Sequence, residues 1–364
     1  MDIENIRLDT KKVRKSARKV QRNEDVAGYY FQLSEELRND KFINNALSVL
    51  DCYKYWDIDH YKAQRIKDVK RIQLCKDRFC NNCQNVIALR NLSKFKSVLD
   101  DIRQNYDIYH IVVTVPNVDE SSLNSTLDKM YAKFPYLIQY LKGDRQTKDI
   151  NFTKFGYVGA IRSLEITTTS KNGLVEFHPH FHCLFVLRKG LDRTKKNINE
   201  FSFNRSKRQR LFTDNEIFLQ KVWYLLYNGK RLNKRNVEDL KQGYSVIADD
   251  SKGRYHEVFK YALKGTFKDN APLFTYEVFK TVYSALYRRK IIQGYGILNK
   301  YKFDTEGAED EIDKIYNSLI SSLQNIEQPE KQVLKLSDVL DEFEKNEVQY
   351  ISKNSIRKIL KSDN

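Results

Sequence analysis

Residues 176–184 read Glu-Phe-His-Pro-His-Phe-His-Cys-Leu, an alternation of apolar and imidazole side chains. A period of two marks a strand with one face toward a core. It sets His178, His180 and His182 on one face and Phe177, Phe181 and Cys183 on the other. The chain has six histidines in all, so this strand gathers half of them. Just upstream, GAIRSLEITTTSKNGLVEF carries Asn172-Gly173, the strongest short hairpin signal. With those two residues as the turn, Glu165 falls opposite His180 on the histidine face, at a cross-strand Cβ separation of about 5 Å. A two-residue slip would leave it there, opposite His178 or His182.

Imidazoles and a carboxylate converging from adjacent strands make a ligand set for a divalent metal with open positions. A structural histidine ladder would show the same alternation, but three imidazoles facing a glutamate favour the metal. The set is an imidazole pair or triplet from His178, His180 and His182, together with Glu165. Mn²⁺ or Mg²⁺ suits phosphoryl-transfer chemistry, and Zn²⁺ fits the ligands about as well. No His-Glu-x-x-His is present, which excludes the ordinary helical zinc-protease arrangement.

A metal that polarises a phosphate needs a nucleophile. RYHEVFKYALKG (254–265) reads as a helix over 253–264 that stacks Glu257 and Tyr261 at i, i+4, with Lys260 and Lys264 alongside. Lysine charge and a metal would favour the phenolate of Tyr261, which could then attack a phosphodiester. Glu257 could instead activate water.

The net charge of +16 and pI near 9.3 point to a polyanionic partner. The charge is uneven: residues 301–350 carry 13 acidic and five basic residues, while 11–22 and 188–210 are strongly basic. The 188–210 stretch follows the histidine strand directly, and Arg193, Lys195, Lys196, Arg205, Lys207, Arg208 and Arg210, with Lys260 and Lys264, are candidate DNA contacts. The basic first helix is a candidate grip on duplex DNA. No apolar run approaches the roughly 18 residues of a membrane span, and the N-terminus shows no secretory signal. A reducing cytoplasm is the expected setting.

Four of the five cysteines lie between 52 and 83. Cys75, Cys80 and Cys83 are spaced C-x4-C-x2-C, which with Cys52 or His60 as fourth ligand makes a structural zinc site. Cys183 is read as packing. The coarse organisation is helical and basic over 1–50, cysteine-bearing over 51–95, a sheet domain over 100–300 and an acidic helical tail over 301–364. Within the sheet domain, 107–118 and 245–250 read as strands and 211–229 as a helix.

Together these stretches resemble the plasmid rolling-circle replication initiators of the Rep_1 family, within the HUH endonuclease superfamily. HIVVTVPNV (110–118) looks like the family's first strand motif, and HPHFHCLF (178–185) like its His-hydrophobe-His motif, with His180 and His182 as the pair. EVFKYALK (257–264) looks like its tyrosine motif, and LYRRKIIQGYGILNKY (286–301) like the segment that follows. Where the family often has a proline after the second cysteine, this chain has Asn81.

The resemblance implies an α+β fold: a central antiparallel sheet of about five strands, helices on the face away from the metal, a zinc-bearing N-terminal element and a helical tail. It implies an enzyme that nicks one strand of a double-strand origin, in a single-stranded hairpin loop. Tyr261 would be left on a 5′-phosphate beside a free 3′-OH primer, and Glu257 would serve hydrolytic termination. The implied partners are origin DNA, a host helicase and polymerase, and a second copy of the chain, with no membrane. A relaxase or single-strand transposase shares this chemistry, but a relaxase places its tyrosine before the histidines. A non-catalytic zinc-containing DNA-binding protein is the reading from another class.

Overall fold

The computed structural model describes residues 8, 10–171, 174–203, 209–259, 263–264, 274–299, 316–345 and 347–353. The chain divides into two units, Met1–Ile87 with Phe303–Asn364, and Ala88–Lys302. The first begins with α1 (Thr10–Gln21), α2 (Asn23–Leu37) and α3 (Lys41–Leu50), then β1 (Tyr55–Tyr61) and β2 (Ile66–Ile72). The long α4 (Asn81–Arg103) carries the chain into the second.

There the order is β3 (Tyr106–Thr114), α5 (Glu120–Lys142), β4 (Gly159–Lys171) and β5 (Leu174–Arg188). A hairpin of β6 (Asn197–Phe203) and β7 (Gln209–Phe212) follows, then α6 (Asp214–Tyr227), α7 (Lys234–Asp239), β8 (Val246–Asp250), β9 (Leu263–Lys264), α8 (Tyr276–Leu286) and β10 (Ile292–Gly296). The chain then returns to the first unit with α9 (316–324), β11 (Glu330–Lys335), α10 (Leu336–Lys345) and β12 (Gln349–Ile351).

The expected helical tail does contain helices α9 and α10, and it carries strands as well. Strands β11 and β12 flank β1 and β2 in a sheet ordered β11-β1-β2-β12, so the acidic segment completes a sheet begun by residues 55–72. Acidic composition had masked these short strands, and strands and helix fill one core: Trp56 of β1, Val69 of β2, Tyr350 of β12 and Leu336, Val339 and Phe343 of α10 pack with Val13 of α1. Lys67 is buried there and bonds both carboxylate oxygens of Glu342 at 2.7 Å.

The second unit is built on a six-stranded sheet, β10-β4-β5-β3-β8, with β9 pairing parallel on the β10 edge of β4. The other pairings are antiparallel. Central β5 is 15 residues long and includes Pro179. A proline cannot donate to a ladder, but β3 pairing ends at Thr114 opposite His180, so on that side Pro179 lies beyond the continuous ladder.

Both faces of this sheet are covered, whereas the sequence led us to expect helices on one. On the odd-numbered face of β5, the Phe134 ring of α5 meets Phe181 edge-on at 5.2 Å and Phe185 at 6.3 Å. Trp223 of α6 donates its indole N–H to the Thr114 carbonyl at 2.8 Å. On the even-numbered face, Leu184 and Val186 pack with Ile108, Ile161, Leu99 of α4, and Tyr255, Val258 and Phe259. The histidines continue this second face beyond its apolar cluster.

The helix expected over 253–264 does not form across the described residues. His256–Phe259 make one 3-10 turn, and Leu263 and Lys264 pair with Ile166 and Thr167 of β4. The open β4 edge offers the backbone hydrogen bonds that a helix there would leave unmade, and the burial of Val258 and Phe259 is met within the single turn.

Candidate metal centre

The β4–β5 register pairs Glu165 with His180 and Ser163 with His182. Alternation then brings three ligand atoms together. Glu165 Oε2 lies 2.8 Å from His180 Nε2 and 2.5 Å from His182 Nε2, and the two imidazole nitrogens are 3.1 Å apart. Ligands on adjacent corners of an octahedron with bonds of about 2.1 Å stand about 3 Å from one another. The group has the dimensions of one face of such a shell, and an ion held there would keep its other positions for further ligands. Glu165 and His180 are buried, and His182 is half-buried. Burial pushes the Glu165 carboxyl up, but hydrogen bonds and charge from His180 and His182 outweigh it and hold the group well below the usual carboxylate range. It is therefore an anion ready to bind a cation.

The outer nitrogens decide which lone pairs would face an ion held there. His180 Nδ1 lies 3.1 Å from the His178 carbonyl and can only donate there, so its Nε2 lone pair is the one left for a metal. His182 Nδ1 lies 2.9 Å from His110 Nε2, with the two rings stacked at 5.1 Å and 6°. With His182 bound through Nε2, its Nδ1–H donates to His110. The sequence reading gave His110 no role. Its signal was the placement of β3 beside β5, which seats His110 opposite Leu184, two positions along from His182 on the same face.

His178 takes no place among the three converging ligands. Burial, then the charge of His180, pushes its imidazole down to about 4, so at neutral pH it is uncharged, and its backbone carbonyl orients His180.

The cysteines form a second group, contained in the first unit. Cys52 Sγ lies 3.5 Å from Cys83 Sγ and 3.4 Å from Cys80 Sγ, and Cys75 Sγ lies 3.6 Å from Cys83 Sγ. Four thiolates around zinc at about 2.3 Å stand about 3.8 Å apart, so the cluster needs only slight expansion. Lys76 N–H donates to Cys83 Sγ at 3.1 Å and Asp77 N–H to Cys75 Sγ at 3.4 Å, contacts that favour thiolate charge. Asp77 is itself held by the Tyr30 hydroxyl at 2.7 Å. Asn81 N–H donates to Asn23 Oδ1 at 3.1 Å, a bond that a proline at this position could not make. Cys52 is the fourth member, and His60, the other candidate, lies on β1 outside the group. Cys183 is fully buried and packs in the core.

The remaining expected site residues divide sharply. Tyr261, Lys260, Arg205, Lys207 and Arg208 lie outside the described residues. The Glu257 backbone is in the 3-10 turn and that of Lys264 in β9; their side chains lie outside the description. The other four cations are ion-paired. Arg193 bonds Asp107 at 2.7 Å and Asp250 at 2.9 Å. Lys195 meets Asp249 at 2.7 Å, Arg210 meets the same carboxylate at 3.0 Å, and Lys196 meets Asp214 at 2.9 Å. Tyr255, the tyrosine nearest Tyr261 in sequence, is buried, and burial together with Asp100 pushes its phenol up to about 12. It is a core residue rather than a nucleophile.

The chain is thus mixed α+β with antiparallel sheets, and carries two groups of different chemistry that could each hold a metal ion: Glu-His-His on a strand pair and a separate set of four cysteines. The family model of the Rep_1 replication proteins matches residues 66–350, most of the chain and both units, and the chain belongs to that family. Neither a curated protein nor a solved structure matches it. Among the described residues no helix is long and apolar enough to cross a membrane.

Two outcomes follow from this geometry. Replacing His110 with alanine removes the acceptor that orients His182 and should weaken Mn²⁺ binding about 10- to 100-fold by calorimetry. An unchanged affinity would show that the contact orients nothing. Cys80→Ser should lose about one zinc per chain by elemental analysis, with a lower thermal midpoint for the first unit.

Proposed function

We propose that this replication protein initiates rolling-circle replication of a plasmid by nicking one origin strand, with Tyr261 as nucleophile. The observation that carries the reading is the convergence of Glu165, His180 and His182 within 3.1 Å, with the His180 and His182 tautomers set by their neighbours. A divalent ion, Mn²⁺ or Mg²⁺, would draw charge from the oxygens of the scissile phosphate when bound there. The chain on either side of Tyr261 is anchored to the same sheet: Phe259 is buried against Leu184, and Leu263 pairs with Ile166, next to Glu165.

In the proposed reaction the Tyr261 oxygen forms a bond to phosphorus as the bond from phosphorus to the 3′-oxygen breaks. The phenol proton leaves to solvent or a base, and the 3′-oxygen takes up a proton to become the free 3′-OH. A host polymerase then extends that end as a host helicase opens the duplex. Glu257 accepts a proton from a water that later attacks the phosphotyrosine, which releases the strand. The setting is the bacterial cytoplasm.

The test is incubation of the protein with supercoiled plasmid bearing its origin and Mn²⁺, followed by peptide mapping. The 5′-nucleotide should map to Tyr261, and Tyr261→Phe should reduce nicking to background. A covalent nucleotide on another residue would remove Tyr261 from the mechanism.

A further inference from the structure

The paired state of Arg193, Lys195, Lys196 and Arg210 raises the question of which cations are left to meet DNA. A groove of about 630 Å³ opens on the second unit between the C-terminal half of α5, the loop that follows it and the turn between α6 and α7. Lys133, Arg145, Lys148, Lys230 and Arg231 line it, opposed by one carboxylate, Asp149. None of the five makes an ion pair with a described residue. Unpaired like charges held in one concavity repel, and an anion bound there removes that cost. No basic run in the sequence announces the site, because its cations come from segments about 100 residues apart.

From this we propose that the groove binds the phosphate backbone of duplex DNA flanking the nicked strand. The inference rests on the reading that origin DNA is the substrate, and adds a contact surface on the α5/α6 face of the sheet, opposite the face bearing the histidines. The choice of duplex over single strand comes from the aromatic residues. The Tyr136 ring is covered by the Arg145 guanidinium at 4.4 Å and approached by Lys133 at 5.5 Å, and Tyr140 is buried. With those faces taken, the groove lacks the open stacking platforms that single strands use. What remains is charge, which meets the denser phosphates of a duplex in a sequence-independent way.

The experiment uses the full-length chain and a fluorescein-labelled random-sequence duplex of 20 base pairs, titrated by anisotropy at several NaCl concentrations. Changing the five groove cations to glutamine should weaken binding at least about 10-fold near 0.1 M salt. The slope of log affinity against log salt should fall by up to about 4.5, at roughly 0.9 per phosphate contact. Glutamine at five exposed cations of the first unit, Arg65, Arg71, Lys331, Lys335 and Lys345, removes the same charge elsewhere and should shift both quantities much less. Equal effects of the two variants, or none from the groove variant, would overturn the proposal. Covalent adduct formation by the unaltered protein on a random single-stranded pool with Mn²⁺ is scored separately. Its failure would count against the nicking reading and leave the groove measurement standing.

Discussion

The pairing of β4 with β5 is the constraint on which the rest depends. Because side chains alternate along a strand, a one-residue slip would carry Glu165 to the opposite face from His180 and His182. The register is held from both sides. Phe177, Phe181 and Phe185 must reach the α5/α6 core, and Leu184 and Val186 must reach the cluster under α4. The apolar residues that stabilise the sheet therefore also aim the imidazoles, which sit near the middle of β5 beside its buried C-terminal half.

Around that site the protein spends polar groups on orientation. His110 and the His178 carbonyl each take one imidazole nitrogen, leaving the converging ones for the ion. The cysteine group follows the same logic with softer atoms: backbone N–H groups of Lys76 and Asp77 point at sulfur, and Tyr30 and Asn23 hold the loop that carries them. Thiolates enclosing a small space suit a closed structural zinc, whereas a three-atom face with open positions suits an ion that must also meet substrate.

The sequence made the hairpin, its register and the ligand trio legible because each follows from local alternation and one turn signal. Asn172 and Gly173 themselves lie outside the described residues, yet the pairing they predicted holds from Gly159 through Lys171. The four-cysteine group was legible from spacing. What failed were features set by distant partners. The 255–264 segment has helical periodicity, but an open β4 edge draws its end into a strand. The acidic tail reads as helix, but β1 and β2 needed neighbours. His110 and the basic groove had no signal in one dimension, since each exists only after separate segments meet. Nor does a basic run announce its own partners: four cations of the 188–210 stretch are matched to carboxylates of β3, α6 and β8.

The role proposed for Glu165, His180 and His182 is to hold one divalent ion. Crystals of the full chain soaked in Mn²⁺, with diffraction recorded at the manganese absorption edge, measure this directly. The account predicts a single strong anomalous peak bonded at about 2.1–2.2 Å to Glu165 Oε2, His180 Nε2 and His182 Nε2. A peak bonded through His178 in place of Glu165, or no ion at this hairpin under saturating manganese, would contradict it.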